Sequence, residues 1–170
     1  MDAQETRRRA DVEGLHSLWR GLPELLEIEG QSGRPVSRMD LVFRIPTAVD
    51  RGFPERRCDA CRVRLAIPVR YPYEPAQIHV FDPVYNPHVF ASGLLCTGWM
   101  HEANWTLAEL TLRAMRILAL DPAIISTAHP ANRDAAVWYK SVRRRGLFPT
   151  VDIPSSAVLF RNRIPFRKIA

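Results

Sequence analysis

Cys96 is the residue whose type and position most clearly suggest chemistry. It lies between Gly93-Leu94-Leu95 and Thr97-Gly98, within the stretch 82–104, which has no strong periodicity. A long irregular stretch inside a compact domain is usually functional. A thiol on a loop flanked by glycines can be approached from outside, as a nucleophile requires. The alternative is a small buried hydrophobic side chain, which is the usual state of a free cysteine.

The other two cysteines form a Cys-x-x-Cys pair, Cys58 and Cys61, at the start of a predicted strand. One such pair is only half of a zinc site, and the sequence contains no second pair. We interpret the pair as incidental and expect neither a metal site nor a cofactor. Three cysteines in 170 residues do not form a disulfide framework, which favours a reducing cytoplasm.

Four strands are predicted in the first half of the chain, after a helix over residues 2–20. Apolar residues alternate with polar ones over 22–30, 39–46, 61–69 and 77–81, and we expect a loop over 47–59. The alternation in the third strand, where Val63 and Leu65 flank Arg64, predicts one buried face and one wet face. Short connections between successive strands indicate an antiparallel meander.

Two helices are predicted in the second half. Thr106 and Glu109 have the spacing of a capping box, and the helix that they open ends at Asp121-Pro122. A last helix is predicted from Asn132 to about residue 145. The element order predicts an α+β fold, with a domain over residues 1–146 and a proline-containing basic tail over 147–170.

The charge balance is basic but does not demand a nucleic-acid partner. Lys+Arg number 24 against 18 Asp+Glu, a net charge of +6. Lys140 and Lys168 are the only lysines, which indicates codon bias in a bacterial genome or avoidance of lysine itself. No apolar run approaches a membrane span, and the N-terminus does not resemble a signal peptide, so a cytoplasmic protein is expected.

Residues 67–76 carry a family resemblance. Ile-Pro-Val-Arg-Tyr-Pro-Tyr-Glu-Pro-Ala resembles the signature of ubiquitin-conjugating enzymes, in which Pro-Pro stands where this chain has Pro75-Ala76. In that family a His-Pro-Asn triplet follows, and the catalytic cysteine lies eight residues after its Asn. Here Asn86-Pro87-His88 stands at the matching place, and Cys96 lies eight residues after His88 with no gap.

The resemblance extends over roughly residues 4–145. Trp105-Thr106 is similar to the family's Trp-Ser/Thr, displaced by one residue, and residues 121–130 and 135–139 resemble its C-terminal part. It implies a ubiquitin-conjugating-enzyme-like fold: an N-terminal helix, a four-stranded antiparallel meander, an irregular active-site segment and C-terminal helices.

By this resemblance Cys96 is the acyl-carrying nucleophile. His88 occupies the position of the family's Asn, where its N–H would donate to an oxyanion, with Asn86 orienting it; alternatively, His88 only braces the loop. The first role predicts that His88 assists transfer more than loading. His129, in the loop before Pro130, would accept a proton from the attacking amine, or is simply an exposed loop residue. His79, expected in a strand, and His101 are weaker candidates.

Partner surfaces also follow from the resemblance. The activating enzyme would dock on the first helix through Arg7, Arg8, Arg9 and Arg20, although a solvated charged face explains the same residues. A ligase, if one exists, would contact Tyr73, Leu107 and Ala108.

The resemblance therefore implies a transferase that accepts a ubiquitin-like protein from an activating enzyme as a thioester on Cys96 and passes it to an amine of a target protein. Bacterial relatives occur beside conjugation genes, some of them linked to phage defence. A catalytically inert binding member of the same fold is one alternative, against which Cys96 argues. A nucleic-acid-binding protein is another, but the arginines are dispersed, and we expect neither a nucleic-acid nor a membrane partner.

Overall fold

The computed structural model describes residues 2–98 and 104–155. The helices are α1 (Ala3–Gly21), α2 (Leu107–Leu118) and α3 (Arg133–Val142), and a 3-10 turn, Arg143–Arg145, follows α3. The strands are β1 (Leu26–Ser32), β2 (Arg38–Phe43), β3 (Thr47–Ala48), β4 (Arg57–Cys58), β5 (Cys61–Ala66) and β6 (Gln77–Val80). In the described part of the chain, no helix is long and apolar enough to cross a bilayer.

The main sheet is antiparallel, with the strand order β1-β2-β5-β6. The predicted four-stranded meander and the α+β class are therefore confirmed. The strand ends differ from the prediction for local reasons. The first strand starts at Leu26 because Leu22 is the C-cap of α1. Its N–H donates to the Leu18 carbonyl at 3.0 Å. The third strand ends at Ala66, two residues before Pro68, which has no N–H for a ladder.

The predicted loop over 47–59 is wrong in part, because it contains a second small sheet. β3 pairs with β4, with Thr47 opposite Cys58 and Ala48 opposite Arg57. The Thr47 hydroxyl is buried and donates to the Leu118 carbonyl at 3.0 Å. Strands of two residues have no periodicity that a sequence pattern can reveal.

One core lies between the helices and the sheet. The inward faces of α1 and α2 and one face of the main sheet contribute to the same buried cluster, as Leu15, Met115 and Leu65 illustrate. Alternate residues of β5 point away from it, as predicted, so that Arg62 is exposed and Arg64 half-buried. The burial of this apolar face supplies the main driving force for folding.

A second apolar cluster joins α3 to the start of the tail. The Phe148 ring stacks on Phe53, with ring centroids 5.7 Å apart, and meets Trp138 edge-on at 6.0 Å. Further along, the Thr150 N–H donates to the Ala119 carbonyl at 2.9 Å, and Ile153 is buried. The packed unit therefore extends past residue 146, where the domain was expected to end. Residues 156–170 of the expected tail lie outside the described residues.

Arg8 connects α1 to two segments of chain that flank strands of the sheet. Its side chain is buried, with 5% of the residue exposed. The guanidinium donates to the carbonyls of Val36 at 3.2 Å and Val69 at 2.9 Å, and also to that of Pro68. It thereby satisfies carbonyl groups of two non-repetitive segments, the one before β2 and the one after β5.

We expect Arg8→Ala to destabilise the fold far more than the same change at its neighbour. Loss of the buried guanidinium removes three part-buried hydrogen bonds to backbone carbonyls, which we expect to cost about 2–4 kcal/mol of unfolding free energy. Arg9 is exposed and contacts Glu5 at 2.6 Å one turn away, so Arg9→Ala should cost about 0.5 kcal/mol or less. Urea unfolding of the two variants is the measurement. Equal unfolding midpoints would contradict the role assigned to Arg8.

Candidate active site

The backbone of Cys96 is held on both sides by one residue, His88. The Cys96 N–H donates to the His88 carbonyl at 2.7 Å, and the His88 ring nitrogen Nδ1 lies 3.0 Å from the Cys96 carbonyl oxygen. The preceding residues run along β6, where the Leu95 N–H donates to the Ile78 carbonyl at 2.9 Å. The position of Cys96 is therefore set by the edge of the sheet and by His88 together.

Two glycines let the chain take this path. Gly93 has φ +85°, and a Cβ added there would lie 2.4 Å from the Val80 carbonyl oxygen. Gly98 has φ +69°, and a Cβ there would lie 3.1 Å from Cε1 of His88. Both positions thus need a residue without a side chain, which explains the two glycines that flank Cys96.

The hydrogen bonds of His88 define its tautomer. Its Nε2 accepts from the Ser126 N–H at 3.0 Å, so the ring proton lies on Nδ1 and is donated to the Cys96 carbonyl. The residue is only 4% exposed. Burial lowers the pKa of the imidazole below its ordinary value, against the opposite effect of the two backbone hydrogen bonds. His88 is therefore a neutral residue at pH 7 with both nitrogens engaged.

Asn86 is fully buried, and both polar atoms of its side chain are hydrogen-bonded to backbone groups. Its Nδ2 donates to the Ile117 carbonyl of α2 at 2.8 Å, and its Oδ1 accepts from the His88 N–H at 2.9 Å. Of the two roles expected for His88, this geometry favours the brace. The single N–H of the neutral ring is already donated to Cys96, and Asn86 is enclosed by the core, so neither side chain is directed at an oxyanion.

The loop that carries His129 is tied to the same triplet. The Pro87 carbonyl accepts from the N–H groups of Ala131 at 2.8 Å and Asn132 at 3.2 Å. Together with the bond from Ser126 to His88, this fixes the loop on both sides of His129, whose own side chain is exposed. The structure thus brings the segment containing His129 to the Cys96 region. His79 lies in β6, as expected, and His101 lies outside the described residues.

Arg113 of α2 also reaches this region, and sequence reasoning missed it. Its Nε donates to the Thr97 carbonyl at 2.6 Å. Burial and the nearby charge of Arg116 lower the pKa of the guanidinium to about 10, while Cys96 acts in the opposite direction. The side chain is therefore cationic at neutral pH. One arginine within a predicted helix carries no sequence signal for such a contact.

The half-buried Cys96 lines a cavity of about 260 Å³. Its other walls are mainly apolar and come from β6, the chain before Cys96 and the start of α2; they include Ile78, Phe90, Leu94, Trp105 and Leu107. A thiol on the wall of a cavity is accessible to a substrate, as nucleophilic chemistry requires.

The other cysteines lie in different surroundings. Cys61 is buried, and burial raises the pKa of its thiol far above the ordinary value, which keeps it protonated. The Cys58 thiol donates to the Ala60 carbonyl at 2.8 Å. Within residues 2–98 and 104–155, no group of three or more His, Cys, Asp or Glu side chains is arranged to hold a metal ion.

Two of the four arginines expected to dock a partner, Arg7 and Arg8, make hydrogen bonds within the fold. Arg8 is buried, so its guanidinium cannot be presented to another protein. Arg7 donates to Asp11 and to the Trp105 carbonyl, both at 2.7 Å. Arg9 and Arg20 are exposed, although each pairs with a glutamate of α1 at 2.6 Å. The expectation for Arg8 is therefore wrong, whereas the docking role of Arg7, whose side chain is 29% exposed, stays a prediction.

The expected ligase surface is also corrected in part. Tyr73 is 65% exposed and is available for contact. Leu107 and Ala108 are buried in the core, because the capping box of Thr106 and Glu109 starts α2 with its first turn facing inward. These two residues cannot form a docking surface.

Comparisons with known proteins agree with the fold. The family model described as ubiquitin-conjugating enzyme matches residues 59–146. A solved structure from Plasmodium yoelii, assigned as a ubiquitin conjugating enzyme, has the same fold, with a TM-score of 0.59, 17% identity and coverage of 88% of this chain and 90% of that one. Because the family model covers more than half of the chain, the protein belongs to the ubiquitin-conjugating enzyme family.

A curated relative is Ubiquitin-conjugating enzyme E2 T from Bos taurus. It is 25% identical over 96 residues, which are 49% of this chain and 48% of that protein. The match thus spans about half the length of each protein.

We expect His88 to lower the free energy of unfolding at acidic pH. Because the folded state lowers the pKa of His88, the unfolded chain binds a proton more readily. The stability contribution of the neutral ring is complete above about pH 6.5 and decreases as the pH falls below that value. Urea unfolding between pH 5 and 8 should show a smaller acid-side loss in His88→Gln than in the wild type.

The exposed His129 provides the matched control for this test. His129→Gln should keep the wild-type dependence of unfolding free energy on pH. An unchanged acid-side loss in His88→Gln would contradict the neutral buried state of His88.

Proposed function

We propose that this protein carries the C-terminus of a ubiquitin-like protein as a thioester on Cys96 and transfers it to an amine of a target protein. The observation that supports this most directly is the double backbone attachment of Cys96 to His88. It fixes the backbone of a cysteine that lines the cavity, in a family whose general activity passes through a cysteine thioester.

Loading would exchange one thioester for another. The Cys96 thiolate attacks the carbonyl carbon of the donor's C-terminal residue, which an activating enzyme supplies as a thioester. A new C–S bond forms, and the C–S bond to the activating enzyme breaks with release of its thiolate. A thiolate is both a good nucleophile and a good leaving group, so the step needs no metal or cofactor in this protein.

Transfer would form an amide. An amine attacks the same carbonyl carbon, the C–N bond forms, the C–S bond breaks, and Cys96 leaves as a thiolate. The amine must lose a proton, and His129 is the proposed acceptor because its loop is anchored to Pro87 and His88 while its ring is exposed.

Partners and context belong to the same proposal. The exposed Arg9 and Arg20 on α1 would contact the activating enzyme, and Tyr73 would contact a ligase if the pathway has one. A bacterial source, a cytoplasmic location and a role in phage defence would follow from membership of a bacterial conjugation operon. Genes for an activating enzyme and a deconjugating protease beside this one would support that context.

We expect Cys96→Ala to abolish the acyl adduct. The wild-type protein, incubated with its activating enzyme, ubiquitin-like protein and ATP, should form an adduct that a non-reducing gel reveals and a thiol reductant removes. Cys58→Ala is the matched control and should load normally. An adduct that survives in Cys96→Ala and is lost in Cys58→Ala would contradict the assignment, and absence of any adduct in the wild type would favour the inert binding alternative.

We expect His129→Ala to slow discharge of the preformed thioester to lysine without slowing its formation. General-base assistance is typically worth about 10²–10⁴-fold, and an exposed residue should lie at the lower end. His129→Asp should retain part of the rate. Single-turnover discharge on gels provides the measurement.

His88→Ala gives the comparison for this prediction. Because His88 braces the Cys96 backbone, its loss should reduce loading and discharge together. Loss of discharge alone in His88→Ala, with His129→Ala unaffected, would instead identify His88 as the oxyanion donor.

A further inference from the structure

Negative charge develops on the sulfur and the carbonyl oxygen at each step of transfer on Cys96, and a nearby positive group would stabilise it. The two polar side chains of the Asn86-Pro87-His88 triplet are hydrogen-bonded to backbone groups inside the fold. His88 is also held neutral by burial, which lowers its pKa. The charge has to come from another element.

Helix α2 places a positive group, the guanidinium of Arg113, next to the active-site loop. Arg113 and Ile117 are one turn apart, and they contact the two ends of the active-site segment. The Ile117 carbonyl accepts from Asn86 at 2.8 Å, and Arg113 Nε donates to the Thr97 carbonyl at 2.6 Å. One face of α2 therefore fixes both the triplet and the residue that follows Cys96.

The half-buried guanidinium of Arg113 lies beside Thr97 and Gly98, the two residues that follow Cys96. A Cβ added at Gly98 would be 3.6 Å from an Arg113 terminal nitrogen and 3.1 Å from His88 Cε1. Arg113 thus lies beside the Cys96–Gly98 turn. Charges interact more strongly in such a setting than in bulk water.

We propose that Arg113 is a positioning residue for Cys96: it holds the Thr97 carbonyl and supplies a positive charge to the turn that follows Cys96. The proposal rests on the proposed function of Cys96 as the acyl carrier. During loading the charge favours the attacking thiolate, and during transfer it favours the same thiolate as the leaving group.

Thiol alkylation tests this without any partner protein. The full chain carrying Cys58→Ser is treated with iodoacetamide over a pH series, and modification of Cys96 is followed by mass spectrometry. Arg113→Gln should react about three- to tenfold more slowly at pH 7, with its pH profile moved to higher pH. Arg113→Lys, which keeps the charge, should restore most of the rate.

Arg116→Gln is the matched control for loss of one charge from the same helix. Arg116 pairs with Asp121 at 2.7 Å, so its removal should leave the alkylation profile of Cys96 unchanged. An Arg113→Gln profile equal to the wild type would overturn the proposal. The same holds for an Arg113→Lys profile as slow as that of Arg113→Gln.

A measurement on the unmodified chain covers the case in which Arg113→Gln does not fold. A local positive charge accelerates the anionic reagent iodoacetate relative to neutral iodoacetamide. The rate ratio of the two reagents should be higher at Cys96 than for N-acetylcysteinamide, an uncharged model thiol, and an equal or lower ratio would overturn the proposal. If alkylation follows this pattern but no thioester forms with the activating enzyme, the proposed function fails and the assignment of Arg113 stands.

Discussion

The active-site segment around Cys96 has few hydrogen bonds of the regular β-sheet type. Its backbone groups therefore depend on partners from the surrounding structure. Backbone N–H and C=O groups that leave water must find partners, whether or not they belong to a helix or strand. Here several of the partners are side chains. His88 binds the Cys96 carbonyl, Asn86 binds the His88 N–H, and Arg113 binds the Thr97 carbonyl. These bonds fix the path of the chain on both sides of Cys96.

The same principle operates at the first helix. Arg8 binds carbonyls before β2 and after β5, and Arg7 reaches the carbonyls of Asn104 and Trp105 just before α2. Arginine suits this role because its planar group offers several N–H donors in fixed directions. Part of the arginine content of the chain thus belongs to internal backbone recognition, which a count of surface charge does not reveal.

The order of residues in Asn86-Pro87-His88 determines which residue has which role at the site. With Asn first, the buried position holds a short amide that spans from α2 to the chain leading into His88. With His last, the ring lies between Cys96 and Ser126, and burial keeps it neutral by lowering its pKa. The triplet therefore acts as a frame, and the positive charge at the loop comes from α2. The reversed motif and Arg113 form one arrangement, since a cationic His88 beside Arg113 would repel it.

The sequence alone determined the order of elements, the capping box of α2 and the family resemblance that points to Cys96, because each depends on neighbours along the chain. Alternation in β5 predicts its buried face, and the glycines beside Cys96 predict a turn. Only the tertiary structure decided three other features: Leu107 faces the core, Arg8 is buried, and Arg113 contacts Thr97. In each of these cases the partner lies far away in sequence, on another element, so spacing carries no information about the contact. His88 illustrates both levels, because its spacing from Cys96 is a property of the sequence, while its tautomer and its role as a brace depend on Ser126, which only folding brings to its second nitrogen.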